Sequence, residues 1–158
     1  MLDLRGNKIG DTGMSALAGA ITSGSALERL LLGRNQIGDV GVIDFSRAIA
    51  ERPPKALKIL DLNSNKFDDT AIIEFSHAIA SGFLDHLNTL DLVANVNVGD
   101  SGIEAFAKTI AGGSLPPIEL MDTDGADPQQ DQYRLAELKT AFVARNIETR
   151  YVFNDYGA

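Results

Sequence analysis

The chain has no cysteine, so disulfide cross-links are excluded and a reducing, cytoplasmic setting is the expectation. Basic residues are scarce as well: 14 Lys and Arg stand against 22 Asp and Glu, for a net charge of -8 and an isoelectric point near 4.6. Nucleic acid and anionic membrane surfaces, which both need clustered cations, are therefore disfavoured as ligands, and a basic or mixed-charge protein surface is the better match. No apolar run reaches the length of a membrane span. Only two histidines occur, His77 and His86, and neither lies near a cysteine or a carboxylate pair that would make it a metal ligand or a general base. Equally missing are a glycine-rich phosphate loop with Lys-Ser or Lys-Thr, a Gly-x-Ser-x-Gly elbow and a His-Glu-x-x-His helix, so neither catalysis nor a cofactor is expected. The stretch Asp122–Asp127 is rich in aspartate, yet its glycine falls fourth and Tyr133 stands twelfth. A calcium loop of the helix-loop-helix type needs glycine sixth and glutamate twelfth, so a capping loop is the better reading.

What is present is repetition. Leu2-Asp3-Leu4-Arg5-Gly6-Asn7, Leu30-Leu31-Leu32-Gly33-Arg34-Asn35, Leu60-Asp61-Leu62-Asn63-Ser64-Asn65 and Leu90-Asp91-Leu92-Val93-Ala94-Asn95 are copies of one unit, their asparagines 28, 30 and 30 residues apart. Such a period marks a stack of supersecondary modules. Within each copy two leucines alternate with a variable residue, which is strand periodicity with one face buried. The asparagine follows where the chain turns inward. A turn buried in a core has amides and carbonyls without strand partners, and an asparagine side chain supplies both a donor and an acceptor. Repeated in every module, the asparagines should form a ladder.

After each turn come apolar residues at helical spacing: Met14, Leu17, Ile21; Val42, Phe45, Ile49; Ile72, Phe75, Ile79; and Ile103, Phe106, Ile110. Asp11, Asp39, Asp69 and Asp100 occupy positions expected of N-cap carboxylates that accept the first free amides of their own helices. Gly24, Gly82, Gly112 and the pair Pro53-Pro54 follow as stop signals. A strand and a helix joined by short loops cannot bury both apolar faces alone. Stacked copies can, with a parallel sheet inside the curve and helices outside it.

These residues resemble the leucine-rich repeats of ribonuclease-inhibitor type, whose pattern is similar to Leu-x-x-Leu-x-Leu-x-x-Asn-x-Ile-Gly-Asp-x-Gly followed by a helix. Lys8-Ile9-Gly10-Asp11-Thr12-Gly13 and Gln36-Ile37-Gly38-Asp39-Val40-Gly41 carry the match most closely. The third copy departs with Asp68 and Ala71 in place of glycines, and the fourth inserts one residue between Asn95 and Val98, so its loop should bulge. The resemblance implies an α/β leucine-rich repeat solenoid: a curved right-handed superhelix with its parallel sheet concave and its helices convex.

Residues 1–120 are read as four to five repeats and 121–158 as a C-terminal cap. A fifth strand is expected at Leu115–Leu120, placing Glu119 level with Asp91, although Thr123 replaces the ladder asparagine. Asp127-Pro128-Gln129-Gln130 resembles a capping box that opens a helix from about 128 to 145, and Arg150–Phe153 is expected to close the fold as a short strand. At the other end Leu2 and Leu4 are already the second and third leucines of a strand, with no capping helix before them. The sequence is therefore expected to be part of a longer array, with association through that open edge as the alternative.

The outward strand positions define the candidate binding face. One column holds Asp3, Leu31, Asp61, Asp91 and Glu119, flanked by Arg5, Gly33, Asn63, Val93 and Met121 and, on the other side, by Met1, Arg29, Ile59, Thr89 and Pro117. A file of carboxylates invites a cationic partner, and Leu31, Ile59, Val93 and Met121 are expected to be exposed apolar anchors beside it. Arg47, His77 and Lys108 share one helix position and read as a solvated convex face. The expected function is non-enzymatic capture of a protein partner in the groove, with Arg5, Arg29, Leu31, Ile59, Asp61, Asn63, Asp91, Val93, Glu119 and Met121 as contact residues. Two alternatives rest on resemblance to other repeat proteins. One is a regulator of a small GTPase, similar to the Ran-type activators, in which Arg5 and Arg34 would supply positive charge. The other is an actin-capping-like repeat domain.

Overall fold

A computed structural model describes residues 1–92, 94–95, 97–112 and 119–121. The expected helix at 128–145, the strand at 150–153, the loop at 122–127, Val93 and Pro117 lie outside these residues, as do the side chains of Glu119 and Met121.

Strands and helices alternate: β1 (Leu2–Asp3), α1 (Asp11–Thr22), β2 (Arg29–Leu31), α2 (Asp39–Glu51), β3 (Ile59–Asp61), α3 (Asp69–Ala80), β4 (Thr89–Asp91), α4 (Asp100–Gly112) and β5 (Glu119–Met121). The five strands form one parallel sheet in sequence order. Leu2, Leu30, Leu60, Leu90 and Leu120 lie level across it, one per strand. Each successive helix packs on the one before it, giving a solenoid with a sheet layer and a helix layer.

Both layers send their apolar residues inward. Leu30, Leu32, Leu60, Leu62 and Leu90 from the sheet meet Met14, Val42, Phe45, Ile49, Ile72, Phe75 and Ile79 from the helices, all buried. Phe45 and Phe75, equivalent residues of neighbouring repeats, stack with ring centroids 6.2 Å apart and planes tilted by 40°. Helices α1 and α3 are followed closely by Gly24 and Gly82, whose φ values of 88° and 81° turn the chain out of the helical path.

The asparagine ladder forms as the pattern required. Asn35 Nδ2 donates to the carbonyls of Leu4 (3.0 Å) and Leu32 (2.8 Å), while its Oδ1 accepts from the Ile9 amide (3.1 Å). Asn65 repeats this one module on, donating to Leu32 and Leu62 and accepting from Ile37. Asn95 donates to Leu62 and Leu92, but its Oδ1 accepts from the amide of Asn65 (2.9 Å) rather than from Phe67. That displacement is the effect of the extra residue in the fourth turn, where Asn97 instead bridges back to Asp68 and donates to the Lys66 carbonyl.

Immediately before each ladder asparagine the backbone is left-handed: Gly6, Arg34, Ser64 and Ala94 have φ of 69°, 58°, 51° and 56°. Only the first repeat fills this position with glycine, the residue that adopts it without strain.

The aspartates at the helix starts correct the expectation made for them. Asp11, Asp39 and Asp69 are the first helical residues, not the caps, which are Gly10, Gly38 and Asp68 for the first three helices. Their carboxylates turn away from their own amides and bond the next repeat: Asp11 Oδ1 accepts from Gly38 (2.7 Å) and Gly41 (3.0 Å), Asp39 from Asp68 (2.7 Å) and Asp69 from Gly99 (2.5 Å). Close approach explains the glycines there, since a Cβ on Gly41 would sit 2.8 Å from the Asp11 oxygen. Ala71 holds the corresponding place in the third repeat, and Asp39 bonds a single amide among the described residues.

Candidate functional site

The concave face is built from residues that point away from the core on strands two or three residues long. Strand pairing sets which of them stand side by side. Asp3, Leu31, Asp61, Asp91 and Met121 form one level, and Arg29, Ile59, Thr89 and Glu119 the next. The fifth strand is thus shifted by two residues from the expected alignment: Glu119 is level with Thr89, and Met121 with Asp91.

Asp3 and Asp61 have a local task at the strand ends. Each accepts the amide two residues on, from Arg5 to Asp3 Oδ1 (3.2 Å) and from Asn63 to Asp61 Oδ1 (3.0 Å), which folds the chain out of the strand as an Asx turn. Their second partners differ. Arg5 grips Asp3 with two donors, Nε to Oδ1 at 3.0 Å and a terminal nitrogen to Oδ2 at 2.7 Å. That hydrogen bond, assisted by the Arg5 backbone and by the nearby charge of Arg29, holds the Asp3 carboxyl below its ordinary value and raises Arg5 in turn. Asn63 Nδ2 donates to Asp61 Oδ1 (2.5 Å) and reaches toward Asp91 Oδ2 (3.5 Å), so one amide spans two neighbouring carboxylates. Gly33 makes room for this group, because a Cβ there would lie 2.5 Å from Asn63 Nδ2 and 2.9 Å from Asp61 Oδ1.

Exposure separates the expected contact residues. Arg5 and Arg29 are exposed, and Ile59, Asn63 and Asp91 are half-buried. Leu31 and Asp61 are each only 7% exposed, so Leu31 is not the free apolar anchor that its strand position suggested. On the inner side of a curve side chains converge, and Leu31 stands between Asp3 and Asp61 on adjoining strands. At the loop-side edge, Asp3, Arg5, Gly6, Arg34 and Asn63 line an open cleft of about 510 Å³. Arg34 was not among the expected contact residues, since it lies beyond the strand. The phase it shares with Gly6 and Ser64 was the available signal. On the convex side Arg47, His77 and Lys108 are exposed, with Arg47 3.7 Å from Asp44 and Lys108 bonded to Glu104. Among the described residues no group of three or more acidic or histidine side chains could hold a metal ion, and no helix is long and apolar enough to cross a membrane.

The leucine-rich repeat family pattern matches residues 2–18, 26–46, 56–76 and 85–107, one match for each of the first four strand-helix units. The chain belongs to the leucine-rich repeat family. No curated protein gives a significant sequence match. Among solved structures, this leucine-rich repeat chain is similar to the actin-binding site 2 of leiomodin-1, with a TM-score of 0.70 at 12% identity, covering 92% of this chain and 82% of the other. At that identity the likeness is one of fold.

Proposed function

We propose that this leucine-rich repeat chain is a non-enzymatic interaction module of ribonuclease-inhibitor-like type, cytoplasmic, that holds a protein partner against its concave sheet. The observation that supports this most is the juxtaposition of Arg29, Ile59 and Asp91, exposed or half-buried and standing on adjoining strands of a sheet fixed from behind by a continuous core. An apolar side chain flanked by opposite charges is suited to anchor a protein surface, and the rigid sheet needs little ordering to receive it. Changing Ile59 to Glu and Asp91 to Ala together should leave the melting temperature within about 3 °C of the parent, as for substitutions away from the core, and remove capture of the partner. Retained capture by the folded double variant would reject the groove.

Actin is a second reading, favoured by the structural likeness to the leiomodin-1 actin-binding site. Co-sedimentation with filamentous actin and inhibition of filament elongation test it directly. Regulation of a small GTPase through Arg5 and Arg34 is the weaker alternative, and stimulated GTP hydrolysis across a panel of small GTPases is its test.

A further inference from the structure

Charge along the concave face is sorted, not mixed. Three of the chain's eight arginines, Arg5, Arg29 and Arg34, gather on the first two repeats, in a protein whose net charge is -8. Only one carboxylate of the concave face, Asp3, stands among them, and Arg5 already occupies both of its oxygens. Arg29 and Arg34 are exposed and make no ion pair among the described residues. Arg34 borders the 510 Å³ cleft with Arg5, so two guanidiniums line an opening with room for an incoming group. The third and fourth repeats carry the opposite sign at the same levels, Asp61 and Asp91, beside the neutral Ile59, Thr89 and Asn63 of β3, β4 and the turn. Lys58, the nearest base in sequence, is turned to Glu28 at 2.6 Å.

We propose that the groove selects a protein segment whose charges are segregated, with an acidic side chain seated in the cleft between Arg5 and Arg34 and a basic side chain over the half-buried Asp91, where the covered Asp61 next to it adds to the negative field. This rests on the concave-face reading above and gives it a direction. The two halves of the groove lie about two strands apart, roughly 10 Å, which an extended segment crosses in about three residues. Guanidinium forks suit a carboxylate, and a file of carboxylates suits an ammonium or guanidinium, so a segment laid the wrong way meets like charge at both ends.

The test uses two fluorescein-labelled peptides of about ten residues and identical composition, spaced on the strand separation just given. In one, a glutamate pair and a lysine pair are separated by three neutral residues. In the other, the same four charges alternate. At low ionic strength the segregated peptide should bind about fivefold more tightly, as expected for one or two additional exposed ion pairs, and should shift the amide resonances of Arg34 and Asp91 together. Arg34→Gly removes one guanidinium while leaving a residue suited to the left-handed backbone, so the variant stays folded and should lose most of that preference. Equal binding of the two peptides, or a preference that survives both Arg34→Gly and Arg29→Gln, overturns the proposal. An all-lysine control that binds as tightly as the segregated peptide overturns it too, while leaving an acidic groove as partner site intact. Tighter binding by a single-stranded oligonucleotide than by either peptide would replace the acidic side chain with phosphate and likewise overturn it.

Discussion

The carboxylate of Asp11 and the amide of Gly38 are 2.7 Å apart, although one begins helix α1 and the other caps helix α2. With the Gly41 amide at 3.0 Å on the same oxygen, the start of one helix is completed by the repeat before it. Asp11→Ala should therefore destabilise the protein by about 1–2 kcal/mol, the usual effect of leaving helix-start amides without their acceptor. Thr12→Ala, one residue along and exposed, should be nearly neutral. Urea unfolding of the two variants gives the comparison, and equal midpoints would show that the cross-repeat bond carries no stability.

The four left-handed residues offer an experiment of opposite sign. Glycine at Ser64 or Arg34 should raise stability by up to about 1 kcal/mol, because relief of the backbone strain outweighs the added freedom of the unfolded chain. Gly6→Ala should lower it by a similar amount. Thermal melts of the three variants decide this, and a destabilised Ser64→Gly would mean that its φ of 51° carries no strain.

Asn65 and Asn7 occupy the same place in their repeats, yet Asn65 is buried with donors and acceptor all engaged and Asn7 is exposed. Asn65→Ala should cost about 3 kcal/mol, since it leaves the buried Ile37 amide without an acceptor, takes one of two donors from the Leu32 and Leu62 carbonyls, and opens a gap in the ladder. Asn7→Ala should cost under about 1 kcal/mol, having only turn carbonyls near it. Chemical denaturation of both would expose any departure from that order.

Burial first, and then the neighbouring Asp68 carboxylate, push the Asp39 carboxyl above its ordinary value of 3.8, against the opposing hydrogen bond from the Asp68 amide. A raised acid favours its protonated form in the folded state. Its contribution to stability is complete below the unfolded value and is lost as pH rises through the folded one, so the window opens near pH 4 and extends upward. Asp68→Asn keeps an oxygen to accept from the Thr70 amide, which donates to Asp68 Oδ1 at 2.7 Å, but removes the charge. The Asp39 midpoint, followed by carboxyl-carbon NMR, should fall in that variant, and the loss of stability between mildly acidic and neutral pH should shrink. Asp3 and Glu28 act in the other direction, because Arg5 and Lys58 lower them, and their contributions fade as pH falls.

Period, strand, helix and ladder were legible because each follows from residues compared within one repeat: Leu30 and Leu32 for the strand, Val42, Phe45 and Ile49 for the helix, Asn35 for the turn. What escaped lies between repeats. Spacing placed Asp11 at a helix start but could not show that its oxygen crosses to Gly38, because a cap and a cross-repeat bond need the same residue type at the same position. Alternation marked Leu31 as outward, which it is, yet convergence of side chains on an inner curve covers it. The alignment that put Glu119 level with Asp91 made Ile118 the central residue of the fifth strand, and strand pairing places Leu120 there. Of the candidate site, the strand residues were readable. Arg34 was paired with Arg5 only as a charge donor for a GTPase and not as a groove contact, because its place in the cleft depends on a left-handed turn beyond the strand.

Because Asn35, Asn65 and Asn95 and the carboxylates of Asp11, Asp39 and Asp69 reach across a seam, none of these thirty-residue segments owns the bonds that complete it. The joint, and not the coil, is the unit of cooperation. Under tension from one terminus such an array should come apart seam by seam, in steps of unequal height, since Asp11 holds two amides across its seam and Asp39 one.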